Sequence, residues 1–227
     1  MPKKSLIRVV LTAISFLPLP FAHAHEKGDL LVRAGLANVA PDASSSVLAV
    51  DGTGVAGSEA DVDDNTQLGL TFTYMLTDSL ALDVLASTPF QHDISAETGA
   101  LGLGTIEAGE TKHLPPTVSL VYFPMAPSSQ WQPYVGMGVN YTIFFEEDVD
   151  RELEAVLGNG SLELDASFGL AVQAGVDYQI NDRMFLNAGV RWIDIDSDAE
   201  FEFSANTVTT DVEIDPWVYM VSVGWTF

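Results

Sequence analysis

Arg33, Asp83, Asn140, Gln173, Asp177, Asn187 and Arg191 are the residues whose types and spacing most invite a chemical role. Each falls on the small or polar side of a segment whose alternate positions are apolar. Strand periodicity therefore places all seven on one shared face. Two guanidiniums among carboxylates and amides can hold ion pairs and screen solutes. They can equally form a hydrogen-bonded plug, since a small barrel needs polar filling whether or not it conducts. An unpaired buried Arg is costly, so Arg191 is expected to pair with Asp83 or Asp177.

Other constellations carry less. Gly52-Thr-Gly-Val-Ala-Gly57 has the G-x-G-x-x-G spacing, but the acidic run Glu59 to Asp64 follows it in place of a helix whose N-terminus would receive a pyrophosphate. It reads as a loop tip. Asp61, Asp63 and Asn65 open like a calcium loop, yet Thr66 and Phe72 stand where Gly and Glu are required; Asp194, Asp196 and Asp198 fail in the same way at Ala199 and Ala205. His92 and His113 flank a long loop without metal-ligand spacing and read as polar loop side chains. There is no Cys and no G-x-S-x-G; Ser95 or Ser119 near His113 has nothing to single it out as a nucleophile. No enzyme activity, metal or cofactor is expected.

The elements that position these residues are strands. Eight can be read: Asp29 to Val39, Thr66 to Leu76, Leu80 to Ser87, Thr117 to Phe123, Trp131 to Phe145, Ser167 to Ile180, Met184 to Ile195, and a tail from about Val212. Residues 77–79, 124–130 and 181–183 make short turns. Residues 40–65, 88–116, 146–166 and 196–211 make long loops, with one or two helical turns expected over Arg151 to Leu157. Alternating short and long connections are the habit of outer-membrane barrels, which have short periplasmic turns and long extracellular loops. One face of the strands is rich in Leu, Val, Phe, Tyr and Trp and would be a large apolar surface in water. The other is too polar for a dry core. Lipid outside and polar filling inside resolve both. Trp131, Tyr178, Trp192, Trp217 and Trp225 suit the membrane interfaces.

The two ends agree. Lys3, Lys4 and Arg8 precede an apolar stretch from Val9 to Phe21, and Ala22-His23-Ala24 is an A-x-A cleavage site, so residues 1–24 read as a signal peptide and 25–227 as the barrel. Tyr219, Val221, Val223, Trp225 and Phe227 alternate to the terminus. Trp225 and Phe227 are expected to be read by the barrel-assembly machinery. Three of the nine basic residues precede residue 25, leaving six against 32 acidic ones, a net charge of −26. That excess argues against nucleic acid and against docking on anionic headgroups. The acidic loops read as solvated; gathering divalent cations near lipopolysaccharide is the sharper alternative.

Asn65-Thr-Gln-Leu-Gly-Leu-Thr-Phe-Thr-Tyr-Met75, His113-Leu-Pro-Pro-Thr117, Pro133-Tyr-Val-Gly-Met-Gly-Val-Asn-Tyr-Thr142, Gly175-Val-Asp-Tyr178, Asp194-Ile-Asp196 and Asp215-Pro-Trp217 resemble the OmpW family of small outer-membrane proteins. The resemblance implies an eight-stranded antiparallel transmembrane β-barrel in the cell outer membrane. It also implies passive uptake of small apolar solutes through a narrow passage, with a lateral opening that releases solute into the membrane. By motif alignment the family's apolar constriction falls at Leu85 and Arg191. Leu85 fits; an aromatic residue is expected where Arg191 stands. The passage is then lined by Leu85, Arg191, Asp83, Asp177, Gln173 and Asn140. Leu101, Leu103 and Leu114 are expected to line a collecting funnel. Pro115 and Pro116, which lack N–H donors, are expected beside the lateral exit. The competing reading is a non-conducting barrel that works through its acidic extracellular loops.

Overall fold

A computed structural model describes residues 25–227; the signal peptide expected over residues 1–24 lies outside the described residues. Eight antiparallel strands close on themselves: β1 (Leu30–Ala40), β2 (Asn65–Met75), β3 (Leu80–Ser87), β4 (Thr117–Tyr122), β5 (Trp131–Val149), β6 (Ser167–Gln179), β7 (Met184–Ile193) and β8 (Trp217–Thr226). Each pairs with its neighbours in sequence, and β8 pairs with β1 to close the barrel. Closure gives every stave a partner on both sides, which lipid requires of a spanning sheet.

Alternation sets the faces. Along β4, Thr117, Ser119 and Val121 are buried while Val118, Leu120 and Tyr122 are exposed. The exposed set of the whole barrel is apolar and includes Leu36, Leu68, Met137, Leu170 and Val221. Aromatic residues mark its two margins. Trp131 and Tyr178 meet ring to ring near the short turns, with centroids 4.6 Å apart. Trp192 and Trp217 are cross-strand partners near the long-loop end. This is the apolar band with aromatic girdles that a bilayer selects.

The long connections differ from the expectation of open loops: they are folded. Phe90–Thr98 and Thr105–Leu114 form a hairpin that pairs with Ser58–Val62 on one side and with the top of β5 on the other. Gly160–Leu164, Asp196–Phe203 and Thr207–Glu213 form a second sheet, joined by Ser44–Ser45, Ala49–Val50 and Thr53–Gly54. The expected start of the last strand near Val212 moves accordingly. Residues 207–213 belong to this outer sheet, and β8 begins only after Asp215, whose φ of +36° turns the chain. The helical turns expected over Arg151 to Leu157 are present. The Asp150 side chain accepts from the Glu152 N–H and caps them, and Leu153 is buried beneath. Ile94, Ala108, Leu162, Phe201 and Val212 from the two sheets share one apolar cluster. The Gly52–Gly57 stretch is a hairpin tip, with φ of +75° at Gly52 and +73° at Gly57.

Candidate functional site

The barrel interior is layered. At the floor, Leu31, Met75, Ala81, Val121, Phe123 and Phe185 pack with Tyr134. His25 is folded in among them, fully buried, with its ring 4.9 Å from that of Phe123 and 5.6 Å from that of Phe185. Nothing periodic in the sequence marks this residue for the interior.

Above the floor lies a ring of charge. Arg33 grips Asp177 with two bonds, Nε to Oδ1 at 3.1 Å and Nη2 to Oδ2 at 2.7 Å. The second oxygen also accepts from His25 Nε2 at 2.8 Å, and Asn187 Nδ2 donates to the first at 2.8 Å. Arg33 Nη1 donates to Thr73 Oγ1 at 2.6 Å, which passes the chain on to Asp83 Oδ1 at 2.7 Å. Arg191 Nη2 then donates to Asp83 Oδ2 at 3.2 Å and to Gln173 Oε1 at 2.7 Å. Of the two partners expected for Arg191, the structure selects Asp83; Asp177 belongs to Arg33. Two cations and two anions are thus buried as a connected set, the condition under which buried charge is tolerated. The Tyr134 phenol fits between β6 and β7 because those walls carry glycine. A Cβ at Gly175 would lie 2.4 Å from its oxygen, and one at Gly189 2.8 Å.

Leu85 sits over this ring with Val218 and Met220, in an apolar layer that also holds Ala37, Ala171 and Ile193. Asn140 stands higher and apart from the ions, its Nδ2 donating to Thr117 Oγ1 at 3.1 Å and to the Pro116 carbonyl at 3.3 Å. Higher still, the two outer sheets enclose a narrow apolar cavity. Val39, Ile94, Phe144, Ile195, Phe201 and Val212 are among its walls. Leu101 and Leu103 do not line it. They are exposed at the tip of the 90–114 hairpin, while Leu114 lies at that hairpin's foot.

Pro115 and Pro116 lie at an interruption in the wall. The β3–β4 ladder ends at Leu85 opposite Thr117 and resumes, shifted by one residue, at Phe90 opposite His113. Residues 86–89, ending in Pro89, face residues 114–116 without ladder pairs. Three prolines at the break lack the N–H that would close it. On the other side the wall stays attached, since the Tyr141 N–H donates to the Pro116 carbonyl at 3.1 Å.

Outside the barrel rim, the carboxylates of Asp194, Asp196 and Asp215 lie within 4.8 Å of one another. Partial burial and mutual repulsion raise the pKa of Asp196, and the same causes raise that of Asp215. Asp198, which the sequence spacing grouped with the first two, is not in the cluster.

A closed eight-stranded barrel with an apolar belt, a charged interior and folded extracellular walls is an outer-membrane β-barrel. The chain belongs to the OmpW family, whose model matches residues 26–227. It is 47% identical over 220 residues to outer membrane protein W of Vibrio cholerae, covering 96% of both chains. The crystal structure of the outer membrane protein OprG from Pseudomonas aeruginosa superimposes with a TM-score of 0.85 at 42% identity, covering 91% of this chain and 99% of that one. A more distant relative, the dibenzothiophene metabolism operon protein PahQ of Pseudomonas aeruginosa, is 28% identical over 202 residues, 89% of this chain and 90% of that protein. The protein therefore resides in the cell outer membrane, among its lipids.

Proposed function

We propose that this barrel is a passive route for small hydrophobic molecules across the outer membrane. The observation that carries the reading is the cavity that the extracellular strands build. Its inner walls are apolar although the loops as a whole are strongly acidic. Such a cavity takes apolar molecules from water by removing their surface from solvent. Straight descent to the periplasm is opposed by the ring of Arg33, Asp83, Asp177 and Arg191 and by His25 beneath it. An apolar solute would have to displace paired charges to pass. The break between residues 86–89 and 114–116 lies at the foot of the cavity and faces the apolar layer around Leu85. In this reading solute leaves there, sideways into the bilayer, beside Pro115 and Pro116. PahQ is named for an operon that metabolises dibenzothiophene, itself a small apolar molecule, which agrees with this class of solute.

The same reading assigns residues 1–24 to a leader removed on export, and Trp225 and Phe227 to the signal read by the assembly machinery. A non-conducting barrel acting through acidic loops is less well supported, because the loops fold inward over apolar residues and do not extend as solvated arms.

The test is uptake by proteoliposomes of a panel of apolar and ionic solutes. Apolar solutes should enter faster than in protein-free vesicles, and ionic ones should not. Phe201→Asp, which puts a charge into the cavity wall, should bring apolar entry down to the protein-free rate while the barrel still assembles. Equal entry of both solute classes, or no effect of Phe201→Asp, would refute the proposal.

A further inference from the structure

His92 and His113 are far from loop ornaments. They are diagonal neighbours on one face of the hairpin, since His92 pairs with Thr111 and His113 lies two residues on. Their rings stack with centroids 4.9 Å apart and planes 11° from parallel. Phe90 and Phe144 flank them. Both imidazoles are buried, both line the apolar cavity, and the Nε2 atom of each has no hydrogen-bond partner. Buried polar atoms are nearly always satisfied, so two unsatisfied nitrogens side by side on an apolar wall ask for a ligand.

The chemistry of that ligand follows from the rings. His92 Nδ1 lies 2.6 Å from the Asp63 carbonyl oxygen, which can only accept, so Nδ1 carries the proton. In a neutral ring Nε2 is then a bare acceptor. Burial lowers the pKa of His92, and burial with the neighbouring His92 lowers that of His113 to about 3, so both rings are neutral. A metal ion ligated by both would have to lie in both ring planes, and near-parallel planes do not meet within the roughly 2.1 Å of a zinc–imidazole bond. An ionised head group of either sign is disfavoured too: among the described residues no Lys, Arg, Asp or Glu lines the cavity, and Lys112 points outward to Glu146. A hydroxyl fits, because it donates to one nitrogen and can accept from the other.

We propose that the His92–His113 pair is a polar anchor within the cavity, receiving the hydroxyl of a small, otherwise apolar alcohol or phenol. This rests on the uptake reading above and names the solute class within it. In that class the apolar body lies against Phe201 and Val212 and the single O–H is bound at the foot of the cavity, just above the wall break.

The experiment uses the full-length protein in phosphatidylcholine nanodiscs, with ¹⁵N-labelled histidine and labelled valine methyls. Three probes of similar shape are titrated: benzyl alcohol, toluene and benzyl methyl ether, of which only the first has an O–H. All three should show cross-relaxation with the Val212 methyls, which reports cavity entry. Benzyl alcohol alone should move the His92 Nε2 resonance. His92→Leu should weaken benzyl alcohol about tenfold, the worth of one net hydrogen bond, and leave toluene unchanged. If benzyl alcohol reaches Val212 without moving either imidazole nitrogen, the anchor is wrong and the uptake reading stands. If none of the three reaches Val212, the uptake reading fails and the anchor with it. The wild-type spectra decide both questions even if His92→Leu does not fold.

Discussion

Below Leu85 the barrel is filled by Arg33, Asp83, Asp177 and Arg191, each held by a partner from another strand. Above it the walls are mostly Val, Ile, Phe and Ala, with His92 and His113 among them, around a narrow cavity. The lower half is filled by charge that is paired across strands, although Arg191 Nε is left without a partner. The upper half has mostly apolar walls around a narrow cavity and carries no ion pair of that kind. The difference teaches that one strand set can hold both an ionic interior and an apolar one if the inward positions change chemistry with height. The outward positions meanwhile stay apolar across the whole lipid-facing band.

The contrast is broken most severely at Asp177. Asp177→Ala removes the shared acceptor of Arg33, His25 and Asn187 and leaves a guanidinium unpaired in the interior. The expected loss is about 5 kcal/mol, read from urea unfolding in lipid vesicles. A loss under about 1 kcal/mol would mean that water already screens the ring. Arg191→Ala should cost less, about 3 kcal/mol. Asp83 then keeps its bond from Thr73 and has Arg33 Nη1 at 3.8 Å. Arg191→Trp, which restores the residue type that the resemblance implies, should raise apolar solute flux without raising ion flux.

The upper half responds to acid instead. Burial holds the His113 pKa at about 3, below its ordinary 6.5. Between those values the unfolded chain binds more protons, so this contribution to stability is complete above pH 6.5 and falls as the pH drops towards 3. The slope is about 1.4 kcal/mol per unit, or roughly 2 kcal/mol at pH 5. Hydrogen-exchange protection factors of the 105–114 amides should fall between pH 7 and pH 5, whereas those of β1 and β6 amides should not change. The smallest effect belongs to the surface. Lys112→Ala breaks only its exposed pair with Glu146 and should leave the unfolding midpoint unchanged.

The staves were legible because period-two alternation survives in each of them, and parity alone gave the inward face of Asp83, Asp177, Gln173, Asn187 and Arg191. Parity gives a face but not a height or a direction across the lumen. Asp83 and Asp177 therefore could not be told apart as partners of Arg191. The outer sheets give a weak hydrophobic signal in the sequence because several inward positions are only Ala, as at Ala96, Ala108 and Ala199, between outward charged residues such as Glu97, Glu107 and Glu200. Leu101 and Leu103 misled for the opposite reason: they are apolar by type but sit among Gly99, Gly102 and Gly104, in a tip with no wall to join. The stacking of His92 on His113 needs the register of a hairpin whose strands are separated by a six-residue tip. His25 has no periodic context at all.

The ring of Arg33, Asp83, Asp177 and Arg191 has one more consequence. Its two guanidiniums and two carboxylates sum to zero charge. An electric potential across a membrane does work only on charge that moves, about 2.3 kcal/mol per elementary charge per 100 mV. A balanced cluster that shifts as a unit feels almost none of it. A potential across the outer membrane therefore exerts almost no net force on this ring as a whole.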